Sequence, residues 1–152
     1  MKTRIYVDTS VIGGCEDDEF RDLSRRILQG FVRGDYVLVL SNLTVQELAT
    51  APEVVRAHLA RVPEQHIEAL LLDAEARELA DAYIAAGVLT LSMLADAQHI
   101  AMASVARVDV LVSWNFKHVV NLFRIHAFNS VNLRCGYPLL EIRAPREVVP
   151  DE

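Results

Sequence analysis

Short apolar runs punctuate this chain at residues 5–7, 37–40, 110–112 and 139–142, and their Val, Ile and Leu content predicts β-strands. None alternates cleanly between apolar and polar positions, which is the pattern of strands covered on both faces in a parallel sheet. Between the first two runs, Phe20, Leu23, Ile27, Leu28 and Phe31 recur at helical spacing, and Gly34 stands where a C-cap belongs. Residues 43–106 read as helical throughout. Their clearest stretch, DAEARELADAYIAAG, carries a stripe of Ala76, Leu79, Ala80, Tyr83 and Ile84, with Asp73 as N-cap and Gly87 closing the helix. Pro52 and Pro63 divide the part before it into shorter helices. The order strand, helix, strand, several helices, strand, helix, strand predicts a layered α/β fold, in which ligands gather at the carboxyl ends of the strands.

That rule directs attention to polar groups at strand ends. The segment IYVDTSVIGG runs an apolar strand into Asp8, a carboxylate that can cap a helix, accept a phosphoryl group or hold a metal. The second strand ends at Ser41, and SNLTVQELA places Glu47 near the start of the next helix. Asp96 opens LADAQHIAMASV beside a face of small residues, and Ser113 and Asn115 follow the third strand in LVSWNF. Each has an alternative reading. Thr44-x-x-Glu47 fits a capping box, Asp96 suits a helix N-terminus, and Asp8-Thr9-Ser10 can initiate a turn. These alternatives do not predict a shared location, whereas a common site does. Converging carboxylates repel unless a cation joins them, and an oxygen-only donor set suits Mg²⁺ or Mn²⁺ rather than zinc. The histidines show no zinc spacing. His99, one turn after Asp96, either faces the same cleft or, as the favoured reading, serves at the surface or in helix packing.

Composition narrows the class. The chain has 152 residues, 52% of them hydrophobic and 24% charged, as expected of one soluble domain spanning 1–152. No apolar run approaches the roughly 20 residues of a membrane span, and no signal-peptide pattern follows Met1. A cytoplasmic location is expected, with Cys15 and Cys135 as free thiols. The net charge is −6, unevenly spread. Residues 107–146 hold six Lys or Arg against two acids, a net +4, while the remainder carries nine against nineteen, a net −10. A basic segment on an acidic body can meet phosphates locally.

Taken in order, YVDTSVIGG, LTVQELA, DAQHIAMA and VLVSWNFKHVVN resemble the PIN-domain family, most closely VapC-like toxins of bacterial type II toxin–antitoxin modules. The resemblance spans essentially the whole chain. It implies a PIN-like three-layer α/β/α fold with a central, mostly parallel sheet of four to five strands. It also implies a Mg²⁺/Mn²⁺-dependent endoribonuclease with an RNA substrate, an antitoxin partner and homodimeric assembly. The family's acids fall on Asp8, Glu47 and Asp96, and its supporting hydroxyl falls on Ser113, with Ser10 or Thr9 beside it. Its fourth acidic position falls on Asn115, which departs from the pattern and removes one negative charge. These residues are therefore the expected catalytic set, with Asp8, Glu47, Asp96 and Asn115 as metal ligands. The rival reading is a PIN-like binding module that cleaves weakly because of Asn115. A haloacid-dehalogenase-type phosphatase would need a second aspartate two residues after the first, where Ser10 stands.

Overall fold

The computed structural model describes residues 1–150. Five parallel strands form one sheet: β1 (Arg4–Val7), β2 (Val37–Ser41), β3 (Ile67–Leu70), β4 (Val110–Val112) and β5 (Ile142–Arg143), in the order β3-β2-β1-β4-β5. The helices are α1 (Thr9–Gly13), α2 (Arg21–Arg33), α3 (Asn42–Leu48), α4 (Glu53–Ala60), α5 (Ala74–Ala85), α6 (Leu94–Val105) and α7 (Leu122–Arg134).

The strands sort their side chains to two cores. Ile5, Val7, Leu38, Leu40, Val110 and Val112 pack with Val11, Ile27, Phe31 and Val55 of α1, α2 and α4. Tyr6, Val39 and Leu111 point the other way, onto Leu79, Tyr83, Ile100 and Phe128 of α5, α6 and α7. Period-two alternation thus divides the apolar strands between two helical layers, giving the three-layer α/β/α arrangement. Gly34 ends α2 in the left-handed conformation (φ 80°), a backbone shape that favours glycine. Asp73 caps α5 by accepting the Ala76 amide.

Two expectations need correction. Residues 43–106 are not helical throughout, because residues 67–70 leave the 3-10 turn at Glu64–His66 and pair with residues 38–41 as an edge strand. This strand is short and only half-covered, so it lacks the apolar run that marks the interior strands. The last strand also lies later than the run at 139–142. Asn129 takes both backbone groups of Leu140, accepting its amide at 2.7 Å and donating to its carbonyl at 3.2 Å, so strand pairing starts only at Glu141 and Ile142.

Candidate active site

The strand order reverses between β1 and β4, which opens a crevice at their carboxyl ends, and Asp8 stands at the end of β1 in that crevice. Extended backbone at Asp8 makes it the N-cap of α1, so capping and site roles fall on one residue. Its Oδ1 accepts the Ser10 amide at 3.1 Å and the Ser10 hydroxyl at 2.5 Å. Its Oδ2 accepts the Ser113 hydroxyl at 2.6 Å from just beyond β4. Ser113 Oγ in turn accepts the Asn115 amide at 2.9 Å, and Ser10 Oγ accepts the Trp114 amide at 3.0 Å. Two serines therefore stitch the ends of β1 and β4 around one carboxylate. Burial nevertheless pushes the Asp8 carboxyl above its ordinary range, with the Ser10 and Ser113 hydrogen bonds opposing the shift.

Asp96 enters from the first turn of α6. Its carboxyl is also raised, first by burial and then by the neighbouring negative charge of Asp8; Glu47 adds to this, while His99 and His118 oppose it. Asn115 Nδ2 lies 3.4 Å from Asp96 Oδ2 as a donor, and Asn115 Oδ1 accepts the His118 amide at 3.0 Å. Because the backbone N–H of His118 can only donate, the orientation of the Asn115 side chain is fixed.

Glu47 sits later in its helix than the sequence suggested. Ser41 closes β2 and also caps α3, its hydroxyl accepting the Thr44 amide at 3.3 Å. Glu47 is consequently beyond the first turn, and the capping-box alternative fails. Its Oε1 instead accepts the Thr9 hydroxyl at 2.6 Å and His99 Nε2 at 2.7 Å. These bonds, His99 foremost, hold the Glu47 carboxyl below its ordinary range against the effect of burial.

His99 is the residue that sequence reasoning underrated. It is buried, with 4% exposure, and its Nδ1 lies 2.6 Å from the Tyr6 hydroxyl, which lies 2.8 Å from Ser41 Oγ. The available signal was its position one turn after Asp96. Its partners Tyr6 and Glu47 lie far away in sequence, and only the fold joins them.

A groove of about 960 Å³ between α2 and α4 lies elsewhere. Its charged walls are tied together, as in the pairing of Arg25 and His58 with Glu16 at 2.8 and 2.6 Å, and it contains none of the strand-end acids.

No family model and no curated protein matches the sequence. Among solved structures, the chain is similar to one described as VapBC2 from Rickettsia felis bound to a DNA fragment from their promoter. The TM-score is 0.56 with 12% identity, over 93% of this chain and 98% of that one. The chain has a PIN-like fold.

In this PIN fold, Asp8, Ser10, Ser113, Asn115 and Asp96 are linked through hydrogen bonds and charge, while Glu47 joins them from α3 through Thr9 and His99. As they stand, the described residues contain no group of three or more His, Cys, Asp and Glu side chains drawn together as a cation cage. The donor chemistry still suits a hard ion. Mg²⁺ is commonly held by one or two carboxylates, with water and substrate phosphate completing the shell, and Asp8 and Asp96 are two mutually repelling carboxylates. Among the described residues, no helix is long and apolar enough to cross a membrane.

Proposed function

We propose that this protein is a cytoplasmic, Mg²⁺- or Mn²⁺-dependent endoribonuclease, the toxin half of a toxin–antitoxin pair. The observation that carries the proposal is the hydrogen-bonded path from Asp8 through Ser113 and Asn115 to Asp96 at the crevice between β1 and β4. There, the charge of one carboxylate disfavours ionisation of the other. A cation relieves that repulsion. Asp8 and Asp96 would hold it, with Glu47 and Asn115 bordering the site.

A bound divalent ion lowers the pKa of a water and neutralises charge on a phosphodiester. The protein's own contribution is orientation. Ser10 and Ser113 fix both oxygens of Asp8, Asn115 holds Asp96, and Thr9 with His99 holds Glu47. The similar VapBC2 assembly supports an antitoxin partner, and we extend the reading to a homodimer, testable by sedimentation at micromolar concentration.

The deciding assay is cleavage of a single-stranded RNA oligonucleotide by purified protein. The reading expects internal cuts that require Mn²⁺ or Mg²⁺ and stop with a chelator. A folded protein that binds RNA without cutting it would favour the binding-module reading. The Asn115 amide in place of a fourth carboxylate is the observation behind that second reading.

A further inference from the structure

Glu47 receives both of its hydrogen bonds on one oxygen. Thr9 Oγ1 reaches Oε1 at 2.6 Å and His99 Nε2 reaches the same atom at 2.7 Å, leaving Oε2 without a partner among the described residues. Two donors on Oε1 set the plane of the carboxylate and leave Oε2 free for the cleft. Behind this carboxylate runs a buried chain: His99 Nδ1 to the Tyr6 hydroxyl at 2.6 Å, then Tyr6 to Ser41 Oγ at 2.8 Å, with Ser41 anchored by the Thr44 amide at 3.3 Å. Tyr6 is wholly buried and ends on this chain, and His99 and Ser41 are 4% and 2% exposed. The ring therefore cannot turn freely toward solvent, and in this orientation both of its nitrogens have partners.

The carboxylate at the end of the chain fixes its first link. An ionised carboxylate only accepts, so Nε2 carries a hydrogen directed at Glu47. With the ring neutral, Nδ1 accepts from the Tyr6 hydroxyl, and the Tyr6 oxygen accepts from Ser41. Each link fixes the next, across elements as distant in sequence as β1, α3 and α6.

We propose that His99 is a positioning residue for Glu47, with Tyr6 selecting the ring form that presents Nε2–H to the carboxylate. This rests on the reading of the cleft as a nuclease site. In that site, a fixed Glu47 leaves Oε2 as the oxygen available to a water or metal-bound group. Thr9 alone could pivot with the carboxylate, whereas the ring held from behind by Tyr6 cannot.

Two isosteric variants separate positioning from packing. His99→Gln places an amide nitrogen near Nε2 and can still donate to Glu47. His99→Asn places its amide near Nδ1 and loses Glu47 while keeping reach to Tyr6. Both leave a polar side chain in the same buried slot, so losses in melting temperature should be similar. In RNA cleavage with Mn²⁺, the proposal expects His99→Asn to lose about tenfold or more in kcat with little change in KM. It expects His99→Gln to stay within about threefold of the parent. A tenfold loss corresponds to about 1.4 kcal/mol of barrier. Equal losses in the two variants, or losses that follow melting temperature alone, would overturn it.

An independent measurement uses two-bond ¹H–¹⁵N correlation of the histidine rings in the parent protein, with His99→Gln assigning the resonance. The proposal expects hydrogen on Nε2, and Tyr6→Phe should shift the Nδ1 resonance. Hydrogen on Nδ1, whether alone or together with Nε2, would refute it, whether or not the protein cuts RNA. If the parent cuts no RNA while the Nε2–H form is observed, the nuclease reading fails and the held carboxylate stands.

Discussion

The side-chain amide of Asn115 stands 3.4 Å from Asp96 Oδ2 as a donor, while its carbonyl oxygen accepts the His118 amide at 3.0 Å. The residue therefore turns its donor, not its carbonyl, toward the acidic cleft. Replacing it with aspartate exchanges that hydrogen bond for a third negative charge beside Asp8 and Asp96. Asn115→Asp should lower thermal stability without metal by about 1–2 kcal/mol, roughly 3–6 °C for a chain of this size. Mn²⁺ should then raise its melting temperature further than it raises that of the parent protein. Thermal scans with and without Mn²⁺ check this; an unchanged melting temperature with an unchanged Mn²⁺ response would show that residue 115 stands apart from the metal environment.

Asp8 and Glu47 have opposite pH signatures. Asp8 has a raised folded-state pKa, so the fold disfavours its charged form. That penalty is absent below the unfolded carboxylate value, grows as pH rises through the folded value, and is complete above it. Asp8→Asn should therefore stabilise the metal-free protein at pH 7, a gain that disappears in acid below the ordinary carboxylate range. Glu47 has a lowered folded-state pKa, so its contribution is complete above the unfolded value and is lost as pH falls through the folded one. Glu47→Gln should accordingly destabilise at pH 7 and converge with the parent in acid. Denaturant melts across pH measure both, and an Asp8→Asn variant less stable than the parent at pH 7 would contradict the buried-charge account.

The glycine pair after β1 divides into a permissive and an obligatory position. A Cβ on Gly13 would meet nothing within 4 Å, and the residue lies in a helical conformation (φ −60°, ψ −33°). A Cβ on Gly14 would stand 2.4 Å from Ser24 Oγ and 2.9 Å from Trp114 Nε1, between two groups already bonded to one another at 2.8 Å. Gly13→Ala should be neutral or stabilising by up to about 1 kcal/mol. Gly14→Ala should cost about 1–3 kcal/mol by forcing the buried Trp114–Ser24 pair apart. Equal melting temperatures for the two variants would refute the packing account.

Much of this arrangement was legible in the sequence because local signals and the fold agreed. Asp8 follows an apolar strand and Ser113 follows β4, where the rule for strand ends points, while Asp96 opens a helix as its local pattern predicts. For Glu47, the capping box that the sequence offered as an alternative fails. Ser41 serves as both strand end and helix cap, which starts α3 before Thr44. The edge strand at residues 67–70 was hidden by its half-exposed pattern, and the late start of β5 by Asn129, a side chain on α7 that no local pattern connects to Leu140. His99 was hardest to read, because a buried histidine is explained only by its partners, and both lie on other elements.

The central claim is that Asp8 and Asp96 together hold a divalent cation. Its most direct test is calorimetric titration of Mn²⁺ into the parent protein and the Asp8→Asn/Asp96→Asn variant, with circular dichroism confirming that both are folded. The account predicts one saturable ion in the parent and none in the double variant. Binding of equal stoichiometry and affinity in both would contradict it.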